Sequence, residues 1–191
     1  AIETVTQWRT TPGPILPRSN TGACGLSQSN VLNLTGTGQT GWTVNGSATS
    51  VSAVSPGAGQ VRGNWSDQTV SGLTSMGKLF RYINGGLGVS PGDRLRIAGF
   101  FKFTNTSNMR MAVQLQFSRS VSPNSSLYLF DTSTSFGETY FEAEIVAPDS
   151  IVNTIIWLEF QAANGGSNAY SGSFSWACLD VYNVTKLTAR V

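Results

Sequence analysis

The sequence predicts an all-β fold, a single antiparallel β-sandwich of the jelly-roll kind. Apolar and polar residues alternate along two long segments, 93–103 and 109–117, with the period of two that marks half-buried strands. No segment combines helical periodicity with capping residues at both ends. Many short strands separated by turns are typical of a sandwich or a barrel.

Each of the two clear strands has one face for the core and one for the surface. In the first, the core face is Leu95, Ile97, Phe101 and Phe103, and the other face is Arg94, Arg96, Phe100 and Lys102. In the second, the core face is Met109, Met111, Val113, Leu115 and Phe117, and the other face is Arg110, Gln114 and Gln116. Nine further strands are predicted at 31–35, 42–44, 49–54, 61–65, 78–83, 127–130, 139–146, 154–161 and 172–184. We assign Trp42 and Trp176 to the core.

The first thirty residues do not follow this pattern. Three prolines fall within residues 11–17, which excludes a helix or a central strand there. We therefore predict an irregular N-terminal lead-in over 1–30 and one sandwich domain over 31–191. The two cysteines, Cys24 and Cys178, leave two alternatives open, a disulfide or two separate buried thiols.

The composition favours a protein exposed outside the cell or on a virion. Only 12% of the residues are charged, against about 25% in an average domain, so Ser, Thr, Asn and Gln must supply the polar surface. A net charge of +2, without a basic cluster, gives no reason to expect a nucleic-acid partner. No apolar run reaches about 18 residues, so we expect no membrane insertion.

The absence of histidine narrows the possible chemistry. A chain with no histidine cannot build a Ser-His-Asp or Cys-His nucleophile system. One carboxylate pair remains, because Glu142 and Glu144 lie two apart on one strand, roughly 7 Å apart at the rise of a β-strand. We favour a cross-strand charge ladder with Arg94, Arg96 and Lys102 over a catalytic role for the pair, and expect no enzyme.

Four segments in order resemble the jelly-roll carbohydrate-binding modules of the family 4/9/22 type. They are Asn33-Leu34 followed by Gly41-Trp42, residues 89–102 (VSPGDRLRIAGFFK), residues 138–148 (ETYFEAEIVAP) and residues 172–184 (GSFSWACLDVYNV). The resemblance covers residues 31–184. Over these residues the chain also resembles modules found on phage tail fibres and tailspikes. The resemblance implies a jelly roll whose concave face or loop rim binds a saccharide, and a structural calcium site that uses Asp180. The acidic residue that the family usually has after its first strand is replaced here by Thr35-Gly36-Thr37.

Sugar binding requires an aromatic platform and polar groups that bond hydroxyls. Trp157 shares a strand face with Glu159, although Ile155 on that face leaves a core position as the alternative. A polar strip on the 109–117 strand consists of Gln114, Gln116 and Arg110. We expect this strip to form hydrogen bonds with the hydroxyl groups of a sugar. Turns concentrate binding residues, so we add the aromatic residues predicted in or near turns, which are Trp65, Tyr128 and Tyr170.

The sequence therefore predicts a non-catalytic module that binds a glycan or a cell surface. Its setting would be a larger extracellular or phage tail-fibre adhesion protein that attaches to a host cell, with a homotrimer supplying multivalency. The first alternative is a structural jelly-roll domain for oligomerisation, as in a fibre head or capsid. The second is a glycan-cleaving enzyme that uses Glu142 and Glu144.

Overall fold

The structure is a computed structural model that describes residues 31–33, 43–46, 52–54, 65–83 and 87–188. For 31–33, 43–46, 52–54, 65–67, 81, 178, 187 and 188 it describes the backbone alone. The predicted lead-in, Trp42 and Cys24 lie outside these residues, and so does any pairing of Cys24 with Cys178.

Within the described ranges the chain forms eleven strands and one short helix. The strands are β1 (Val31–Asn33), β2 (Thr43–Gly46), β3 (Ser52–Val54), β4 (Trp65–Leu73), β5 (Gly77–Tyr82), β6 (Arg94–Ser107), β7 (Met109–Arg119), β8 (Ser125–Thr132), β9 (Phe136–Val146), β10 (Ile151–Ala162) and β11 (Tyr170–Asn183). The helix, α1, is Val184–Thr188 and follows β11 directly.

The strands pair into two antiparallel sheets. Sheet A has the order β3-β4-β11-β6-β9, and β1 also pairs with β11. Sheet B has the order β2-β5-β10-β7-β8. From β4 onward the chain passes repeatedly from one sheet to the other. Most neighbours within each sheet are therefore distant in sequence, and only the pairs β3–β4 and β7–β8 among the described strands are consecutive. The predicted all-β sandwich is confirmed.

The inner faces of the two sheets enclose one large hydrophobic core. The inward residues of β6 and β7 are those that alternation predicted, from Leu95 to Phe103 and from Met109 to Phe117. The largest fully buried side chains include Trp176, Tyr170, Phe101, Phe103, Phe117, Phe160 and Phe174. The predicted core position of Trp176 is confirmed, and its ring stacks on Phe174 with 5.4 Å between the centroids.

Most strand bounds differ from the predicted ones by a few residues, and the fourth strand differs most. The fourth strand was expected at 61–65, of which only Trp65 lies within the described residues, and the rest of β4, which runs to Leu73, was not predicted. Its sequence, WSDQTVSGL, has little apolar alternation, and its pairing with both β3 and β11 compensates for that weak preference. The last strand was expected to end at Val184 but ends at Asn183, because α1 begins at Val184.

The outer face of sheet A carries the predicted charge ladder. Nε of Arg94 donates to Glu144 at 2.8 Å, and the Arg96 guanidinium bridges Glu144 at 3.2 Å and Glu142 at 3.5 Å. The hydroxyl of Tyr140 donates a further bond to Glu142 at 2.8 Å. Both carboxylates are thus engaged by cross-strand cations, as expected for a ladder.

A buried carboxylate fixes the corner where β6 begins. Asp93 accepts hydrogen bonds from the backbone N–H of Ser90 and from Nδ2 of Asn183, both at 2.8 Å, and the ammonium of Lys186 lies 3.6 Å away. Burial by itself raises the pKa of Asp93, but these bonds and the Lys186 charge outweigh it and lower the pKa overall. The corner therefore joins the β5–β6 connection to β11 and α1 through one charged group.

We predict that Asp93→Asn destabilises the fold at neutral pH by about 1–3 kcal/mol, the cost of losing hydrogen bonds to a buried charge. Because the pKa is lowered on folding, the stabilisation is present above about pH 4 and is lost as the pH falls through the lowered pKa. Urea unfolding of both proteins at pH 7 and at pH 3 measures this. A difference that is equally large at both pH values would contradict the assignment to the ionised carboxylate.

Candidate functional site

The outer face of sheet B carries a row of side chains that crosses four strands. Register pairs Phe80 of β5 with Trp157 of β10, Trp157 with Gln114 of β7, and Gln114 with Tyr128 of β8. Partners in antiparallel register point to the same side of a sheet. We call Phe80, Trp157, Gln114 and Tyr128 the aromatic row, which extends over three strand spacings, about 14 Å.

Trp157 lies at the centre of the aromatic row and has several partners. Its indole Nε1–H donates to Oε1 of Gln116 at 3.2 Å. Its ring lies 4.8 Å from the Phe80 ring, tilted by 38°, and Phe80 in turn contacts the edge of Tyr82 at 5.6 Å. The alternative core position is excluded, because the inward residues of β10 are Ile156, Leu158 and Phe160.

An ion pair lies beside the indole. Nζ of Lys78 on β5 bonds Oε1 of Glu159 on β10 at 2.7 Å, and both side chains are mostly buried. The same ammonium lies 5.0 Å from the centre of the Trp157 ring, within the range of a cation–π interaction. Lys78 therefore joins Trp157 and Glu159 into one contact group.

A β-bulge between β7 and β8 determines which β8 side chains lie on this face. The β7–β8 register shifts between Val113 and Gln114, so that Leu129 has no partner position across the ladder. The shift brings Tyr128 and Asp131, three residues apart, to the same outer face, where strict alternation would separate them. Asp131 then accepts a two-point bond from Arg110, whose Nε donates at 2.6 Å.

Tyr128 is the exposed aromatic at this end of the row, with 39% of its surface accessible. Burial of its hydroxyl, together with the carboxylates of Glu159 and Asp131, raises its pKa, although Arg110 opposes the shift. The hydroxyl therefore stays protonated across the physiological range and can donate a hydrogen bond. Gln114 is its cross-strand neighbour, is only 5% exposed, and is buried between Tyr128 and Trp157.

The structure brings six of the eight predicted ligand-binding residues to this face, which are Trp157, Glu159, Gln114, Gln116, Arg110 and Tyr128. Tyr128 lies within β8 rather than near a turn. The expectation for Tyr170 is wrong. It is 1% exposed, and its hydroxyl donates to the backbone oxygens of Ser75 and Phe160, because it begins β11 and points into the core. Trp65 is the first residue of β4 in sheet A, and its side chain is not described.

Four residues of the face escaped the sequence analysis. Three of them lie at alternate positions of β5, which are Lys78, Phe80 and Tyr82, and this period of two is visible in the sequence of the strand. Tyr82 is 57% exposed, which is unusual for a large aromatic side chain. Asp131 could not have been found from alternation, because the bulge changes its side of the sheet.

Asp180, the calcium ligand that the resemblance implies, lies on β11. It is 1% exposed and accepts a hydrogen bond from the hydroxyl of Tyr182 at 3.1 Å. In the described part of the chain, no group of three or more Asp, Glu, Cys or His side chains is placed to hold a metal ion. Calcium takes six to eight oxygen ligands, which backbone and amide oxygens can also supply, so the calcium site at Asp180 stays a prediction.

A separate cavity of about 310 Å³ opens at the end of the sandwich, between the β5–β6 and β9–β10 connections. It is lined by Val89, Pro91, Ser150, Ile151, Val152 and Thr154, and none of the predicted site residues belongs to its wall. Over the described ranges, no helix has the length and apolar character needed to cross a membrane.

Comparison with known proteins bears on the fold. No family model and no curated protein matches the sequence. Among solved structures, the family 22 xylan-binding domain (CBM22-1) of Paenibacillus barcinonensis Xyn10C matches with a TM-score of 0.55 and 10% identity, over 82% of this chain and 94% of that one. The family 22 binding module and family 10 catalytic module of Clostridium thermocellum xylanase 10B, complexed with xylohexaose, match with a TM-score of 0.55 and 14% identity, over 78% of this chain and 27% of that one.

This is the jelly-roll fold of the carbohydrate-binding modules. The resemblance in fold that the sequence motifs predicted is therefore confirmed. The enzymatically active domain of tailspike protein 4 from bacteriophage CBA120 also matches, with a TM-score of 0.56 and 10% identity over 75% of this chain. The chain corresponds to only 19% of that tailspike chain.

Proposed function

We propose that the protein is a non-catalytic glycan-binding module and that it binds a polysaccharide on the outer face of sheet B. The observation that carries the proposal is the aromatic row. Aromatic rings offer flat apolar surfaces to the C–H faces of sugars, and the polar groups beside them bond hydroxyls. Trp157, Phe80 and Tyr128 supply the rings on one face, and Gln114 and Arg110 lie between or beside them.

The compared structures support a polysaccharide ligand. One of them is a xylan-binding domain, and another was crystallised in complex with xylohexaose. We propose the same class of ligand, a polysaccharide or cell-surface glycan, for this chain. The outer face of sheet A is less suited to it, since its Arg94, Arg96, Glu142 and Glu144 are engaged with one another.

We further propose that the module belongs to a larger extracellular or virion-surface protein and attaches it to a cell. The low charge content and the likeness in fold to a tailspike domain support a phage fibre as the setting. A homotrimer would give such a fibre three copies of a weak site, and avidity would then exceed the affinity of one copy. The role is attachment rather than cleavage.

The test is binding by the intact chain to xylan, xylohexaose, β-1,4-galactan and a panel of bacterial capsular polysaccharides. We expect retardation in affinity electrophoresis by at least one of them and saturable heat in calorimetry. Light scattering on the same sample gives the oligomeric state. An obligate oligomer that protects Trp157 from fluorescence quenching and binds no glycan would favour the structural alternative and contradict the proposal.

A further inference from the structure

The ring of Trp157 is held both at its edge and beside its face. We infer that Gln116 and the Lys78–Glu159 ion pair are positioning residues that fix the indole of Trp157 in the orientation on which a sugar ring stacks. The inference rests on the proposed function. It gives these three side chains a role other than ligand contact, and it leaves the hydroxyl groups of the ligand to Tyr128, Arg110 and Gln114.

The edge of the ring is held by the Gln116 amide. Gln116 faces Ile155 in the register, so it is the diagonal neighbour of Trp157, at a distance that long side chains bridge. Its Oε1 accepts the indole N–H at 3.2 Å, while its Nε2 points to Oγ of Ser126 at 3.5 Å. The two contacts together set which way the amide faces, with its oxygen toward Trp157.

The face of the ring is held from β5. Phe80 packs on the indole at 4.8 Å, and the Lys78 ammonium lies 5.0 Å from the ring centre. Glu159 bonds that ammonium at 2.7 Å and limits its movement. Glu159 and Trp157 are two apart on β10, so the ion pair and the indole are built on the same two strands.

These contacts oppose rotation of the indole about its side-chain bonds. Rotation would break the bond to Gln116 and move the ring away from Lys78. A side chain that is already ordered loses less freedom when a ligand binds, so the same stacking contact yields a higher affinity. The affinity gain that Gln116 provides is therefore expected without any contact between Gln116 and the sugar.

The test combines a spectroscopic and a binding measurement on the full chain. The difference in near-ultraviolet circular dichroism and fluorescence between the parent and Trp157→Phe isolates the signal of Trp157 from the other four tryptophans. We expect Gln116→Leu to change this signal and to weaken binding to xylan by about three- to tenfold. Gln116→Glu keeps an oxygen that can accept the indole N–H, so the Trp157 signal and the affinity for xylan should both stay near those of the parent. Lys78→Met should change the signal and the affinity as Gln116→Leu does.

Gln161→Leu makes the same chemical change on the same strand face as Trp157, opposite Arg110, and should leave the Trp157 signal unchanged. Weaker binding by Gln116→Leu with an unchanged Trp157 signal would mean that Gln116 contacts the ligand directly. That result would overturn the positioning role of Gln116 but not the proposed function. Unchanged binding by Trp157→Ala would instead overturn the proposed site, and with it the reason for holding the ring.

Discussion

Trp157→Ala is expected to weaken glycan binding at least about 30-fold, because a central aromatic that anchors an interface typically contributes 2 kcal/mol or more. Trp157 has Phe80 on one side and Gln114 on the other, so its loss divides the aromatic row. Calorimetry against the best polysaccharide of the panel measures the effect. Trp157→Phe should retain part of the affinity, since a smaller ring remains.

The matched control is Tyr140→Ala, which removes an aromatic side chain from the outer face of the other sheet. We expect it to leave affinity unchanged and to lower stability, because Tyr140 packs on Phe100 at 5.0 Å. Urea unfolding of both variants separates the two effects. Equal losses of affinity in Trp157→Ala and Tyr140→Ala would argue against a site on sheet B.

Gly172→Ala is expected to lower the free energy of unfolding by about 1–3 kcal/mol, the usual cost of overpacking. Gly172 lies within β11, and a Cβ built there would stand 2.4 Å from the backbone oxygen of Thr104 and 2.6 Å from the sulfur of Met109. The backbone oxygen belongs to the adjacent strand β6 and cannot move without disturbing the ladder. Urea unfolding at neutral pH measures the loss.

Gly137→Ala provides the comparison for this substitution. Gly137 is also a strand residue, in β9, but no atom lies within 4 Å of the position of its Cβ. An alanine there should be neutral or slightly stabilising, because it restricts the unfolded chain. Similar losses in Gly137→Ala and Gly172→Ala would show that strand preference, and not close approach to β6, explains the effect.

Alternation predicted the strands wherever one face is apolar, as in β6 and β7. It did not predict β4 beyond Trp65, because that strand is polar along most of its length and is held by its neighbours on both sides. Tyr170 was misplaced for a related reason. The Gly- and Asn-rich loop before it suggested an exposed rim, but the strand begins at Tyr170 itself and directs its ring inward.

The site was predictable in its parts but not in its assembly. The polar strip on β7 and the pairing of Trp157 with Glu159 follow from spacing along single strands. Which strands lie side by side depends on the sheet order, and that order brings β5 next to β10, although some seventy residues separate them along the chain. Phe80 and Lys78 therefore joined the site only once the pairing was known.

Among the side chains that the structure describes on the outer face of sheet B, the four charged ones form two cross-strand pairs, Lys78 with Glu159 and Arg110 with Asp131. Their fields largely cancel at the distances over which a ligand approaches, so little electrostatic steering is available. The association rate at this face should therefore be set by diffusion and by the need for correct orientation, and should change little with ionic strength. Differences in affinity among glycans would then appear in how long each one stays bound.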